Sequence, residues 1–84
     1  MKPIGKVTHY YGKAGVAVVE LAGNLKIGDR VRIEIGDQMF DQEVSSLHKE
    51  LEPIQQAQKG DTVGMKVVQK AKPGALVSLS QEGE

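Results

Sequence analysis

The stretch Asp29-Arg30-Val31-Arg32-Ile33-Glu34-Ile35 carries the clearest structural signal of this 84-residue chain. Apolar side chains stand at positions 31, 33 and 35, and charged side chains stand at 30, 32 and 34. Successive side chains of a β-strand point to opposite faces, so this alternation predicts a strand with one face in a core and one in water. The Gly36-Asp37 pair predicts a tight turn into a second strand, from about Gln38 to Leu47, whose weaker alternation indicates a bulge or a bend.

Short apolar runs separated by turn residues continue on both sides of this hairpin. They predict further strands at residues 4–11, 16–21, 62–69 and 75–80, with turns at 12–15, 59–61 and 71–74. Only residues 49–59 have a helical composition, and Pro53 in their middle predicts a loop with at most one helical turn. About six short strands at intervals of roughly ten residues predict an all-β domain, a small barrel or a sandwich.

The composition sets the class of protein. The chain is predicted to be one domain over residues 1–84, with its core at about 4–80 and a frayed tail at 81–84. Eleven Lys and Arg residues balance eleven Asp and Glu residues, which argues against a strongly basic nucleic-acid protein. The absence of cysteine excludes disulfides, cysteine-ligated zinc and a thiol nucleophile, and it favours the cytoplasm. We find no stretch typical of a signal peptide or a membrane helix.

The residue patterns of enzymes are sparse in this sequence. Gly12-Lys13 lacks the other residues of a phosphate-binding loop, and the two histidines, His9 and His48, lie far apart along the chain. Asp29, Asp37 and Asp61 all occur at predicted turns, where capping of the turn explains them without catalysis. We therefore predict that the protein is not an enzyme and holds neither a metal ion nor a cofactor.

Two groups of residues remain as candidate binding surfaces. In the first, His9, Tyr10 and Tyr11 lie between Lys6 and Lys13, so that rings could stack on bases while lysines contact phosphates. The alternative is that one tyrosine belongs to the core and the other covers the end of the barrel. The second group is the lysines at positions 66, 70 and 72, which could follow a phosphate backbone or form an ordinary solvated face.

The spacing of the turns resembles the second domain of the translation GTPases, a β-barrel best known from elongation factor Tu. The resemblance covers about residues 4 to 80. It rests on Gly5-Lys6-Val7, on Leu25-Lys26-Ile27-Gly28-Asp29-Arg30-Val31, and on Val44, Ser46, Leu47, Pro53, Ala57, Gly60, Asp61, Val63 and Gly64 at the family's spacing. The resemblance implies a small closed six-stranded β-barrel of the Greek-key type, without the nucleotide-binding domain of the family.

The resemblance also implies a function. We expect a stand-alone, translation-factor-like module that binds tRNA, ribosomal RNA or a ribonucleoprotein surface. The residues predicted to carry this binding are Lys6, His9, Tyr10, Lys13, His48 and Lys49. The alternative is an accessory module that docks on a separately encoded enzyme or GTPase through the face that the family uses between domains. Neither alternative involves a membrane or a nucleotide.

Overall fold

The computed structural model describes residues 3–50 and 52–80, and these residues form ten β-strands and no helix. The all-β prediction is therefore confirmed. The strands are β1 (Pro3–Tyr11), β2 (Val16–Leu21), β3 (Leu25–Lys26), β4 (Arg30–Ile35), β5 (Gln38–Glu43), β6 (Leu47–Lys49), β7 (Glu52–Ile54), β8 (Gln56–Ala57), β9 (Thr62–Lys66) and β10 (Leu76–Leu79). The expected number of six was wrong because four strands have only two or three residues, too few to alternate visibly. The predicted frayed tail at 81–84 lies outside the described residues.

The strands form two antiparallel sheets. The larger has the order β5-β4-β10-β1-β2-β9-β6-β7, and the smaller pairs β3 with β8. The predicted hairpins β1–β2 and β4–β5 are both present. The last strand, β10, lies between β1 and β4, so the two ends of the described chain meet in the middle of the larger sheet.

Two local predictions need correction. The loop expected at 49–59 instead contains β7 and β8, because Pro53 lies in an outermost strand, where the missing N–H group breaks no ladder. The long strand expected at 38–47 is divided into β5 and β6. Between them Val44 is fully buried, and its backbone is held by Gly28 N–H and by the carbonyl oxygen of Asp29.

The core consists of the inward face of the larger sheet and the residues that cover its ends. Its largest fully buried apolar side chains are Leu25, Ile33, Leu47, Met65, Val7, Val19, Val31, Val44, Val63 and Val77. Val31 and Ile33 belong to the alternating stretch, so its predicted inner face is confirmed.

Two turns of the same construction enclose the smaller sheet. The segments 25–31 and 57–63 share the pattern apolar-x-x-Gly-Asp-x-Val. The short strand β3 ends two residues before Gly28, and the short strand β8 ends three residues before Gly60. Gly28 has φ 98° and Gly60 has φ 95°. Each glycine N–H donates to the carbonyl of one buried residue, Val44 or Leu21, whose own N–H donates to the carbonyl of the following aspartate. The same type of turn therefore occurs twice, and it binds the main chain of Val44 in one case and of Leu21 in the other.

Candidate functional site

A row of neighbouring residues crosses the outer surface of the larger sheet and contains both histidines. Its members, taken strand by strand from β1 to β7, are His9, Val18, Gly64, His48 and Pro53. Cross-strand partners lie on one face, and strands are about 4.8 Å apart, so the two histidines are separated by about 14 Å. The structure therefore places His9 and His48 on one surface, although 38 positions of sequence separate them.

A second row lies beside the first and is formed by Tyr11, Val16 and Lys66. The rings of His9 and Tyr11 contact each other, with centroids 4.4 Å apart and planes tilted by 54°. Tyr11 is 53% exposed. We call these two rows of residues the outer face.

A bulge in β1 decides which aromatic residue reaches this face. The β1–β2 register shifts between Val7 and His9, so Thr8 is an extra residue that turns His9 outward. Tyr10 then points inward and packs against the core, whereas Tyr11 points outward. The candidate group predicted from the sequence contained both tyrosines, and the residues expected to carry binding included Tyr10 and not Tyr11. Alternation from the buried Val7 would have placed positions 9 and 11 inward, so the sequence carried no signal for this arrangement.

The predicted lysines do not form one cluster. Lys6 lies on the outward side of β1, between Glu20 of β2 and Leu76 of β10. Lys13 is exposed in the β1–β2 turn. Lys49 is paired with Asp61, with 3.0 Å between Nζ and Oδ1. Of the second predicted group, Lys66 belongs to the outer face, and the other two lysines are exposed in the connection between β9 and β10.

A shallow cleft continues from the outer face at its His48–Pro53 end. It has a volume of about 370 Å³ and is lined by Ile27, Ser45, Ser46, Leu47, His48, Pro53, Ile54 and Gln55. Ile27 is 38% exposed there. This cleft joins aliphatic side chains to two hydroxyl groups and an imidazole, a lining suited to a small apolar side chain with polar groups around it.

A larger open cleft, of about 570 Å³, lies between the two equivalent turns and is lined by Asp29 and Asp61 among others. Both carboxylates serve the turns. Asp29 accepts from Lys26 N–H at 3.1 Å, and Asp61 accepts from Gln58 N–H at 3.0 Å. The Gln58 hydrogen bond, with the Lys49 ammonium, lowers the pKa of Asp61. The predicted capping role of these two aspartates is therefore confirmed.

The remaining acidic groups offer no assembled site in the part of the chain described. Asp41 is paired with Arg32 across β4 and β5, and the hydrogen bond from that guanidinium lowers the pKa of Asp41. Within residues 3–50 and 52–80, no three His, Asp or Glu side chains are grouped to hold a metal ion. The same residues contain no helix that could cross a membrane.

Comparison with known proteins gives a relative by sequence and structures with the same fold. No protein-family model matches the chain. An uncharacterized protease of Methanocaldococcus jannaschii is 36% identical over 81 residues, a match that covers 94% of this chain. This chain spans only 20% of that protein's length.

Two crystal structures of the C-terminal domain of a Geobacillus thermoleovorans "putative U32 peptidase" share the fold. The selenomethionine variant superposes with a TM-score of 0.87 at 21% identity and covers 93% of this chain and 99% of that domain. The other structure gives a TM-score of 0.90 at 20% identity and covers 95% of this chain and 93% of that domain.

These findings contradict the resemblance to the second domain of the translation GTPases. The RNA-binding, translation-factor-like function that depended on it is wrong as well. The physical reason lies in the residues that carried the resemblance. Gly28-Asp29 and Gly60-Asp61 build a turn that occurs twice in this one chain. Such residues report a local backbone geometry, and several protein families can share that geometry.

Proposed function

We propose that this chain is a non-catalytic accessory domain that acts with the catalytic unit of a U32-type peptidase. The observation that carries the proposal is the superposition of 95% of the chain on 93% of a domain from such a protein. The M. jannaschii relative supports it from sequence, because four fifths of that protease lies outside the match.

The chemistry of the described residues also supports a non-catalytic role. The two histidines lie three strands apart, too far for one to orient the other by a hydrogen bond. The carboxylates of Asp29, Asp41 and Asp61 are already engaged by main-chain N–H groups or by cations. In this proposal the peptidase chemistry belongs to the catalytic unit, and the domain contributes binding.

A closed barrel is part of the proposal. The side-chain amide of Gln42, on the outermost strand β5, donates to the carbonyl of Lys66 at 2.7 Å and accepts from Val68 N–H at 2.9 Å. These bonds connect β5 to the end of β9, five places away in the strand order. A sheet that curls until its edge reaches an interior strand has the curvature of a small barrel.

We also propose that the protein acts in the cytoplasm, as predicted from its cysteine-free composition.

The proposal is tested with the M. jannaschii protease from which the 81-residue match has been deleted. We expect the 84-residue chain to bind this truncated protease in calorimetry and to increase its cleavage of a fluorescent casein. The full-length protease, which contains its own copy of the domain, is the control and should bind the chain much more weakly. Cleavage of casein by the 84-residue chain alone, or no binding to the truncated protease, would overturn the proposal.

A further inference from the structure

The outer face combines an apolar floor with two lysines, Lys13 and Lys66, on the side of its second row. Val16 and Val18 are half-buried and form the floor, and Val16 also covers Gly64, where an added Cβ would lie 3.2 Å from Val16 Cγ1. The ring pair of His9 and Tyr11 stands at one end of the first row. An apolar strip between exposed rings is a surface on which a polypeptide can lie across the strands.

The charged side chains within the two rows have one sign. Neither row contains a carboxylate, and Lys66 stands in the second row with Lys13 in the adjoining turn. The nearest acidic side chains lie outside the rows: Glu20 is exposed beside Val18 and opposite Lys6, and Glu52 lies opposite Lys49, whose ion pair is with Asp61. A partner with negative charge is complementary to such a surface.

The cleft next to Pro53 is the place on this surface that could hold an apolar side chain of a bound polypeptide. The first row runs over four strand spacings, or about 19 Å, and then reaches the cleft. An extended segment rises about 3.3 Å per residue, so about six residues would cover the row. A leucine or similar side chain at one end of that segment would enter the space between Ile27 and Ile54.

We propose that the outer face binds an extended acidic segment of a partner protein, with one aliphatic side chain in the cleft lined by Ile27, Pro53 and Ile54. The inference rests on the proposed function in one respect: the segment would belong to the catalytic unit. A polypeptide is favoured over a nucleic acid because the chain has no net charge and the cleft at the end of the row is aliphatic.

The first experiment uses defined peptides and the full 84-residue chain. The probe is a ten-residue peptide of Asp and Glu with a single Leu, and the comparison peptides replace Leu by Gly or the acids by Lys. In an amide NMR titration at low salt we expect shifts at Val18, Gly64 and His48 with the acidic Leu peptide. Shifts should shrink with the Gly peptide and vanish with the Lys peptide. Equal shifts with all three peptides, or no shifts, would overturn the inference, as would stronger binding of a ten-nucleotide single-stranded RNA at the same residues.

Matched variants connect the outer face to the partner. Lys66→Glu reverses an exposed charge in the second row, and Lys72→Glu makes the same change in the β9–β10 connection. We expect Lys66→Glu to weaken binding of the acidic Leu peptide and of the truncated protease about three- to tenfold, with little effect of Lys72→Glu. His48→Glu, on the cleft, should act like Lys66→Glu.

The two proposals fail in different ways. If the truncated protease binds the wild-type chain and all three variants equally, the outer face is not the docking surface, and the accessory role stands. If the truncated protease does not bind the wild-type chain, the accessory role is wrong. The peptide titration then tests by itself whether the outer face binds an acidic segment.

Discussion

Asp29 and Asp61 perform the same task at two places in the chain. Each carboxylate accepts from the N–H three residues earlier, and each also contacts a lysine ammonium, Lys26 or Lys49. The two ion pairs are exposed on the lysine side, so their Coulomb attraction is screened by water. The main-chain hydrogen bonds therefore contribute more than the ion pairs to the stability of both turns.

Asp61→Asn should make stability less dependent on pH. The hydrogen bond from Gln58 and the contact with Lys49 hold the pKa of Asp61 below its usual range. Such a group adds stability above the unfolded pKa of about 3.9, and the contribution is lost as pH falls through the lower folded value. We expect the variant to be less stable than wild type at pH 7, with the gap closing below about pH 4. Urea unfolding at pH 7, 5 and 3 measures this gap. Asp37→Asn in the β4–β5 turn is the control, and a gap for Asp61→Asn that stays constant with pH would contradict the interpretation.

Gly28→Ala and Gly60→Ala should cost similar amounts of stability. Both glycines have φ near +95°, and a Cβ at either position would meet no atom within 4 Å. The cost is therefore conformational, about 1–2 kcal/mol for each variant. Thermal or urea unfolding of the two variants checks this. Losses that differ by more than about 1 kcal/mol would show that the two turns are not equivalent in energy, despite their matching hydrogen bonds.

At the scale of the element, β1 shows how one extra residue sets the surface chemistry. Without the bulge at Thr8, His9 would share the inward side with Val7, because a shift of one residue exchanges the two faces of a strand. The bulge places an imidazole and a phenol in contact outside the sheet and a second phenol against the core. The composition of the outer face depends on this one irregularity.

Tyr10→Ala and Tyr11→Ala form a matched test of the bulge. Tyr10 packs against the core, so its truncation should cost about 2 kcal/mol, less than for a fully buried ring. Tyr11 is mostly exposed, so its truncation should cost less than about 1 kcal/mol, chiefly the contact with His9. Urea unfolding of both variants gives the comparison. If Tyr11→Ala proved the more destabilising, the register of β1 would be wrong.

The sequence was sufficient for elements with a local signal. The alternation at Val31 and Ile33 predicted a strand and its inner face, and Gly36-Asp37 predicted the turn after it. The bulge at Thr8 has no such signal, because it is set by pairing with β2. Pro53 was misleading for a related reason: its effect depends on whether its strand lies inside a sheet or at the edge, which is a tertiary property.

The candidate site was less predictable than the fold. His9 and His48 were chosen for their residue types, and their common row exists only because Val18 and Gly64 lie in register between them. The repeat of apolar-x-x-Gly-Asp-x-Val at 25–31 and 57–63 was visible in the sequence. Its meaning, two turns that each hold a buried main-chain segment, needed the contacts with Leu21 and Val44.

At the scale of the whole molecule, the sheet depends on contacts between residues far apart in the chain. The strand β10 joins β1 to β4, so it connects the hairpin β4–β5 to the rest of the larger sheet. Gln42 provides a second connection between that hairpin and the end of β9. β10 and Gln42 therefore both connect the β4–β5 hairpin to other parts of the larger sheet.

Gln42→Ala tests whether the bonds from Gln42 to the end of β9 contribute to stability. The Gln42 side chain is 5% exposed, and its loss would leave Val68 N–H and the Lys66 carbonyl without these bonds in a partly buried place. The expected cost is about 1–3 kcal/mol, because two hydrogen bonds with a net contribution of about 0.5–1.5 kcal/mol each are lost. Gln38→Ala on the same strand is the control, because Gln38 is exposed and its truncation should change stability by less than about 0.5 kcal/mol. Urea unfolding gives both values, and hydrogen exchange should show faster opening of Val68 N–H in Gln42→Ala alone. Equal stability of the two variants would mean that the Gln42 bonds contribute little to holding the hairpin, and it would count against the proposed closed barrel.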